Sequence, residues 1–122
     1  MTTIMIVDDS PTTLMSMSAI LTKDGFRVIT AVDGQDALTK VGKDRPDLII
    51  TDYNMPKMDG MVFIKEARKV SGLRFTPILM LTTESDPAKR GEAKAAGATG
   101  WLVKPVNPDA LMTVIRKVLP GA

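Results

Sequence analysis

The chain has 122 residues, of which 44% are hydrophobic and 25% charged, a composition typical of one soluble globular domain. It contains no cysteine and no histidine, which excludes disulfides, thiolate catalysis, the usual zinc ligands and catalytic pairs built on histidine. Its chemistry must therefore rest on carboxylates, hydroxyls, lysine amines and the backbone.

The net charge of +2 comes from basic residues that are spread along the chain. This spread favours a solvated surface over a nucleic-acid interface, where basic residues concentrate on one element. No apolar run approaches the roughly 20 residues that a membrane span needs. The N-terminal residues also lack the basic start of a signal peptide. We therefore predict no nucleic-acid partner, no membrane insertion and a cytoplasmic location.

Short β-branched runs alternate with segments of helical spacing along the whole chain. The predicted strands, in chain order, are Ile4–Val7, Arg27–Thr30, Leu48–Thr51, Ile78–Leu81 and Gly100–Val103. Ser10-Pro11 and Asn107-Pro108 are typical helix starts, with a capping side chain followed by proline. Five strands alternating with five helices predict an α/β fold, a doubly wound parallel sheet covered by helices on both faces.

We find no linker, internal repeat or low-complexity segment, and the last predicted helix ends close to the C-terminus. We therefore expect a single domain over residues 1–122, without an output domain.

The reactive side chains follow the carboxyl ends of the predicted strands, the edge at which open α/β sheets bind ligands. Asp8 and Asp9 follow the first strand, Asp52 the third, Thr82 the fourth and Lys104 the fifth. The second strand is followed by no reactive group. This distribution predicts the strand order 2-1-3-4-5, with the second strand at the rim of the sheet.

Three carboxylates would meet at this edge. At a separation of about 5 Å and an effective dielectric constant of about 20, each like-charge pair costs roughly 3 kcal/mol. Either one carboxyl stays protonated or a cation lies among them, and an oxygen-only site favours Mg²⁺. Other interpretations are that Asp9 only caps the first helix and that Lys104 forms an ordinary structural salt bridge.

Four separated motifs resemble the signature of response-regulator receiver domains, and the resemblance covers essentially the whole chain. They are Asp8-Asp9, the segment DYNMPKMDG from Asp52 to Gly60, Thr82-Thr83-Glu84 and Lys104-Pro105. The resemblance implies the flavodoxin-like (βα)5 receiver fold. It also implies a signalling protein that catalyses its own phosphorylation and dephosphorylation, and is not an enzyme toward a separate substrate.

The resemblance assigns roles to the metal ligands and to the phosphoacceptor. Asp52 would take a phosphoryl group from a phosphohistidine of a histidine kinase. Asp9, Asp52 and the backbone carbonyl of Asn54 would bind Mg²⁺ directly, whereas Asp8 would act mostly through a bound water.

Two further roles follow from the same resemblance. Lys104 would contact the phosphoryl oxygens, and its peptide bond to Pro105 would be cis. Thr82 would turn its hydroxyl onto the phosphate once that group is present.

Among receivers, the chain is most similar to stand-alone chemotaxis regulators of the CheY type. Asn54 and Glu84 occupy the two positions that tune self-hydrolysis in that family, and they imply a phosphoryl lifetime of seconds to a few minutes. Chemotaxis and flagellar motor control are therefore the expected pathway. The alternative is a single-domain regulator in a phosphorelay or another pathway.

Trp101 departs from the family pattern, which has tyrosine or phenylalanine as the switch aromatic. The indole could act as an inward-turning switch, as an outward anchor for a partner, or simply pack at a strand edge.

The helix predicted from Pro87 to Ala96 has few large apolar residues, so we expect it to be the bistable element. The predicted output surface comprises this helix, the fifth strand and the last helix, with Arg90, Lys94, Trp101 and Val103 as contacts for a downstream protein.

Three rival classes fit the residues less well. A hydrolase of the haloacid-dehalogenase type needs a general acid two residues after its aspartate, where this chain has Asn54. A flavodoxin-like cofactor protein needs a phosphate-binding loop after the first strand, where this chain has two carboxylates. A pseudo-receiver would be expected to lack one of the motif residues, and all are present.

Overall fold

In a computed structural model of the protein, residues 2–55, 57–82 and 87–119 are described, with only the backbone given for residues 87–89. The motif residues Pro56, Thr83 and Glu84 lie outside these ranges, so the prediction that Glu84 tunes self-hydrolysis stays a prediction. The elements are β1 (Thr3–Val7), α1 (Pro11–Lys23), β2 (Arg27–Ala31), α2 (Gly34–Val41), β3 (Leu48–Asp52), α3 (Gly60–Lys69), β4 (Ile78–Thr82), α4 (Pro87–Ala96), β5 (Gly100–Val103) and α5 (Pro108–Val118).

The five strands form one parallel sheet in the order β2-β1-β3-β4-β5, which confirms the predicted fold and strand order. Four strands are longer than predicted: β1 begins at Thr3, and β2, β3 and β4 each extend one residue further. In the register, Asp52 pairs with Leu81 and Thr82 with Val103, so both reactive residues end strands and do not begin loops. Their backbone positions are therefore fixed by the sheet.

The helices cover both faces of the sheet and enclose two core layers. β1, β3 and β4 are buried along their whole length, and alternate side chains point to opposite faces. One layer packs these strands against α2, α3 and the single described buried residue of α4, Ala93, whereas the other packs them against α1 and α5. The rim strands β2 and β5 are partly exposed.

The predicted helix starts are confirmed. Ser10 caps α1, because its Oγ accepts a hydrogen bond from the backbone N–H of Thr13 at 3.3 Å. Asn107 caps α5 by accepting from the N–H groups of Asp109 and Ala110 at 2.8 and 3.2 Å. The interpretation of Asp9 as the cap of the first helix is therefore wrong. None of the described helices has the length and apolarity needed to cross a membrane.

Candidate functional site

The ends of the neighbouring strands β1 and β3 bring three carboxylates together. Oxygen atoms of Asp8, Asp9 and Asp52 all lie within 4.8 Å of one another. Asp8 is fully buried and Asp52 is 6% exposed, whereas Asp9 faces solvent. The cluster predicted from strand order therefore forms, with one carboxylate accessible and two enclosed.

Lys104, which directly follows the rim strand β5, contacts this cluster. Its Nζ lies 3.0 Å from Asp8 Oδ2 and 3.3 Å from Asp52 Oδ1, so a single ammonium bridges both buried carboxylates. Its backbone N–H donates to the carbonyl of Thr82 at 2.7 Å, and its peptide bond to Pro105 is cis, as predicted. Lys104 is therefore held at the site through both its side chain and its backbone.

The second oxygen of Asp8 is also occupied. Asp8 Oδ1 accepts a hydrogen bond from the backbone N–H of Ser10 at 2.9 Å, and the N–H of Asp8 itself donates to the carbonyl of Ala31 at 3.1 Å. Both carboxylate oxygens of Asp8 thus have donors within the chain. The contact from Ser10 was not anticipated from the sequence, although Asp-x-Ser is a spacing at which an aspartate folds back onto the backbone.

The loop after β3 packs closely against the end of that strand at Asp52. Gly60 donates its N–H to the carbonyl of Tyr53 at 2.8 Å, and Asp59 caps α3 by accepting from the N–H of Val62 at 2.9 Å. A Cβ added to Gly60 would lie 2.5 Å from the carbonyl oxygen of Asp52. Only glycine therefore allows α3 to start this close to the end of β3, as expected for a residue that shapes this loop.

Thr82 and Asn54 lie at the same edge of the sheet. Thr82 is buried at the end of β4, the strand next to β3, and is tied to Lys104 through the backbone. Asn54 is exposed in the loop that follows Asp52. The structure therefore brings all the predicted site residues to one edge.

Burial raises the pKa of Asp52 above its ordinary value, and the negative charge of Asp8 raises it further, against the opposing effect of Lys104. For Lys104, burial alone would lower the pKa. The hydrogen bond with Asp8 and the charges of Asp52 and Asp8 outweigh burial, so its pKa is raised. Lys104 is therefore cationic at neutral pH. Its charge lowers the pKa of Asp52, but this effect is smaller than the combined effect of burial and of Asp8.

The donor set fits a hard divalent cation. All the grouped ligand atoms are carboxylate oxygens, the kind that Mg²⁺ prefers, and the exposed Asp9 gives access from solvent. With the three carboxylates ionised and Lys104 cationic, the local charge is negative. A cation that bound there would therefore relieve the repulsion that raises the pKa of Asp52.

The predicted output surface is only partly exposed. Arg90, Lys94 and Val103 face solvent, whereas Trp101 is half-buried and packs against the core layer formed with α2, α3 and α4. The Arg90 guanidinium lies 5.8 Å from the centre of the indole ring. In this structure the indole therefore packs against the core at the sheet edge, and its roles as a switch and as a partner anchor stay predictions.

Residues 4–116 match the response regulator receiver domain family, and the chain belongs to it. The fold and the site thus define a receiver domain of a two-component response regulator.

Solved structures and curated relatives agree with this membership. The chain aligns with the Vibrio cholerae chemotaxis protein CheY4 at a TM-score of 0.95 and 50% identity, covering 98% of this chain and 99% of that one. It is 32% identical to protein PilH of Pseudomonas aeruginosa, over 99% of this chain and 100% of PilH. The receiver domain of the sensor histidine kinase PA1611 of Pseudomonas aeruginosa, solved with a magnesium ion in its active site cleft, is 28% identical with a TM-score of 0.87 and 95% of both chains covered.

Proposed function

We propose that this receiver domain accepts a phosphoryl group on Asp52 from the phosphohistidine of a histidine kinase. The observation that carries the proposal is the bridge from Lys104 Nζ to Asp52 Oδ1 at 3.3 Å and Asp8 Oδ2 at 3.0 Å, beside an oxygen-only carboxylate cluster. A structural salt bridge would need only one of these carboxylates. An ammonium shared by two is placed to compensate charge that is added at one of them.

The transfer needs positioning and charge neutralisation more than covalent catalysis. A carboxylate oxygen of Asp52 attacks phosphorus, the bond from phosphorus to the imidazole nitrogen breaks, and its electron pair returns to the imidazole. No proton leaves the carboxylate nucleophile, which agrees with the absence of histidine from the chain. Lys104 balances negative charge on the phosphoryl oxygens, and Thr82 donates its hydroxyl to them.

Asp9, Asp52 and the backbone carbonyl of Asn54 would hold Mg²⁺ directly, and Asp8 would contribute through water. When bound, the ion supplies positive charge at the phosphoryl oxygens and offsets the repulsion among the carboxylates. Asp8 fits the indirect role because both its oxygens already accept hydrogen bonds, from Ser10 and Lys104. Asp9 fits direct binding because its carboxylate is exposed.

Receiver domains interact with histidine kinases and with downstream targets. For this chain we propose chemotaxis or flagellar motor control, supported by the 50% identity to a chemotaxis protein across almost the whole of both chains. The output would pass through α4, β5 and α5, with Arg90, Lys94, Trp101 and Val103 contacting the partner. A phosphorelay or another pathway remains the alternative, and a purified phosphoprotein that persists for hours would favour it over a fast-cycling chemotaxis regulator.

The test is incubation with MgCl₂ and acetyl phosphate, followed by intact-mass measurement and Trp101 fluorescence. The wild-type chain should gain the mass of one phosphoryl group, and Asp52→Asn should gain none. Asp47→Asn is a matched control, because Asp47 precedes the same strand but lies at its opposite end, and it should label like the wild type. Equal labelling of the wild type and Asp52→Asn would overturn the assignment of the phosphoacceptor.

A further inference from the structure

A cavity of about 400 Å³ lies at the amino ends of β3 and β4, between the loops that precede these two strands. The carboxylate cluster and Lys104 lie at the carboxyl ends of the strands, so the cavity is separate from the site of the proposed phosphorylation. Its volume is within the range of about 300–1,000 Å³ that is usual for small-molecule sites. We call it the β3–β4 pocket, and its lining residues are Arg45, Pro46, Asp47, Gly72, Arg74, Phe75 and Thr76.

Phe75 presents an open aromatic ring at this pocket. The residue is 88% exposed, the largest exposure among the described large hydrophobic residues. The Arg74 guanidinium lies over the ring, with its Cζ 5.5 Å from the ring centre. Because the residue is nevertheless so exposed, most of the ring surface is open to solvent. A planar ring from outside the chain can therefore stack on it.

The loop that carries Phe75 is fixed by hydrogen bonds. Arg68 Nη1 donates to three backbone carbonyls of this loop, those of Leu73 at 2.9 Å, Arg74 at 3.4 Å and Thr76. These bonds hold the backbone on both sides of Phe75. The exposed ring thus stands on a fixed segment, which reduces the ordering that a ligand would have to impose.

Two guanidinium groups at the pocket have no carboxylate partner in the part of the chain that the structure describes. Neither Arg45 nor Arg74 forms an ion pair there. Arg45 Nη1 donates to the carbonyl of Ser71, and a Cβ added to Gly72 would overlap the same guanidinium. The position of Arg45 therefore depends on glycine at residue 72. Guanidinium groups bind phosphate through paired N–H donors, so the pocket offers two sites of attachment for a phosphate.

Asp47 adds a single negative charge to the pocket. Its Oδ2 accepts a hydrogen bond from the backbone N–H of Thr3 at 2.8 Å, and its own N–H donates to the carbonyl of Thr3 at 2.8 Å. Among the described residues its Oδ1 has no donor. A fixed carboxylate repels a strand of many phosphates, which disfavours a nucleic acid. The same carboxylate can accept a hydrogen bond from a ring N–H or an amino group of a base.

We propose that the β3–β4 pocket binds a purine nucleoside phosphate. The base stacks on Phe75 and donates a hydrogen bond to Asp47. The phosphate is bound by Arg45 and Arg74. Inorganic phosphate alone would leave the aromatic ring and the carboxylate unused, and an uncharged ring would leave both guanidinium groups without an anion. Because the pocket and Asp52 lie at opposite ends of the sheet, binding does not depend on the proposed phosphorylation.

The test is an NMR titration of the full ¹⁵N-labelled chain in EDTA. The probes are AMP, adenosine, which lacks the phosphate, and ribose 5-phosphate, which lacks the base. AMP should shift the amide signals of Gly72 and Phe75 with a dissociation constant on the order of 0.1–1 mM. Adenosine and ribose 5-phosphate should each bind at least about tenfold more weakly, because each loses either the charged contacts or the stacking.

Variants of exposed side chains test each contact without disturbing the core. Phe75→Leu removes the ring and keeps an apolar side chain, and it should weaken AMP by about tenfold. Arg45→Gln and Arg74→Gln should each weaken AMP by about tenfold as well. Arg27→Gln is the matched control. It removes the same charge at the same end of the sheet, where Arg27 begins β2 outside the pocket, and it should bind AMP like the wild type.

Equal binding of AMP and ribose 5-phosphate would overturn the proposal, as would a loss in Arg27→Gln as large as that in Arg45→Gln. Shifts confined to the amides around Lys104 would also overturn it, because the phosphate would then bind at the carboxylate cluster. A single-stranded oligodeoxyadenylate that binds more tightly than AMP would assign the pocket to nucleic acid and not to a free nucleotide. Asp52→Asn should bind AMP like the wild type, so a failure of phosphoryl labelling leaves the pocket standing.

Discussion

Lys104 Nζ lies 3.0 Å from Asp8 Oδ2, a contact between residues 96 positions apart in the chain that closes the site from β5 to β1. Asp8 is fully buried, so the contact compensates a charge that has no access to water. Because Lys104 also contacts Asp52, we expect this one side chain to affect both the stability of the protein and the phosphorylation proposed for Asp52.

Replacing Lys104 by methionine should therefore lower both stability and phosphorylation rate. Leaving a buried carboxylate without its cation should cost about 3 kcal/mol in the free energy of unfolding, measured by urea denaturation. Loss of positive charge at the phosphoryl oxygens should slow labelling by acetyl phosphate roughly 100-fold.

Lys69→Met is the control for this change. The ion pair of Lys69 with Glu66 is exposed, with side-chain exposures of 72% and 42%, so its loss should cost less than about 0.5 kcal/mol. If Lys104→Met labels as fast as Lys69→Met, Lys104 has only a structural role.

Asp52→Asn should stabilise the protein at neutral pH in the absence of Mg²⁺. Burial and the charge of Asp8 raise the pKa of Asp52 in the folded state. The stability that Asp52 contributes is therefore fully present below its unfolded pKa, ordinarily 3.8, and is lost as pH rises through the folded pKa. Thermal unfolding in EDTA should show the advantage of Asp52→Asn growing from acidic to neutral pH, and MgCl₂ should stabilise the wild type more than the variant.

Asp36→Asn should show the opposite pH dependence. Burial tends to raise the pKa of Asp36, but hydrogen bonds from the Val32 N–H and from Lys40 outweigh it and the pKa is lowered. Its contribution is thus present at neutral pH and lost as pH falls through the folded pKa. If both variants respond to pH in the same direction, the assigned environment of Asp52 is wrong.

Much of this site could be predicted from the sequence because a parallel sheet places every strand end at the same edge. Asp8 and Lys104 follow β1 and β5, and Asp52 ends β3, so the parallel sheet brings the three residues to one edge. The sequence pattern predicts that β3 and β4 end one residue before Asp52 and Thr82. A polar side chain ends the apolar pattern at these positions, while the backbone pairing continues.

Features that depend on tertiary packing could not be predicted in the same way. The position of Trp101 depends on how α4 packs beside β5, and sequence patterns do not report side-chain direction at a sheet edge. The contact from the Ser10 N–H to Asp8 is a turn geometry that many Asp-x-Ser segments do not adopt. The fold could thus be predicted from periodicity, whereas these two side-chain positions depend on tertiary packing and turn geometry.

Substitutions of Asp9 and of Asp8 should have different effects, the first mainly on Mg²⁺ affinity and the second on the free energy of unfolding. Asp9 is exposed, so Asp9→Asn should leave the free energy of unfolding in EDTA within about 0.5 kcal/mol of the wild type. We propose Asp9 as a direct ligand, so Asp9→Asn should lower the affinity for Mg²⁺ by more than the roughly 10–100-fold typical of outer-shell changes. Calorimetric titration measures this affinity. Asp8→Asn should instead destabilise the protein in EDTA, because Lys104 and Ser10 lose a buried ionised partner. Unchanged Mg²⁺ affinity in Asp9→Asn would contradict its role as a ligand.

Gly60→Ala should distort the end of β3, whereas Gly91→Ala should stabilise the protein. A Cβ at Gly60 would lie 2.5 Å from the carbonyl oxygen of Asp52 and 3.0 Å from the Cα of Tyr53, both backbone atoms that cannot turn aside. Unfolding free energy should fall by roughly 2–3 kcal/mol, as in overpacked sites, and phosphoryl labelling of Asp52 should slow because its backbone moves. A Cβ at Gly91 meets nothing within 4 Å, so alanine there should add about 0.5–1 kcal/mol through its helix propensity. Urea denaturation and labelling of the two variants side by side check this, and equal stability of both would show that α3 can shift away from Asp52 at no cost.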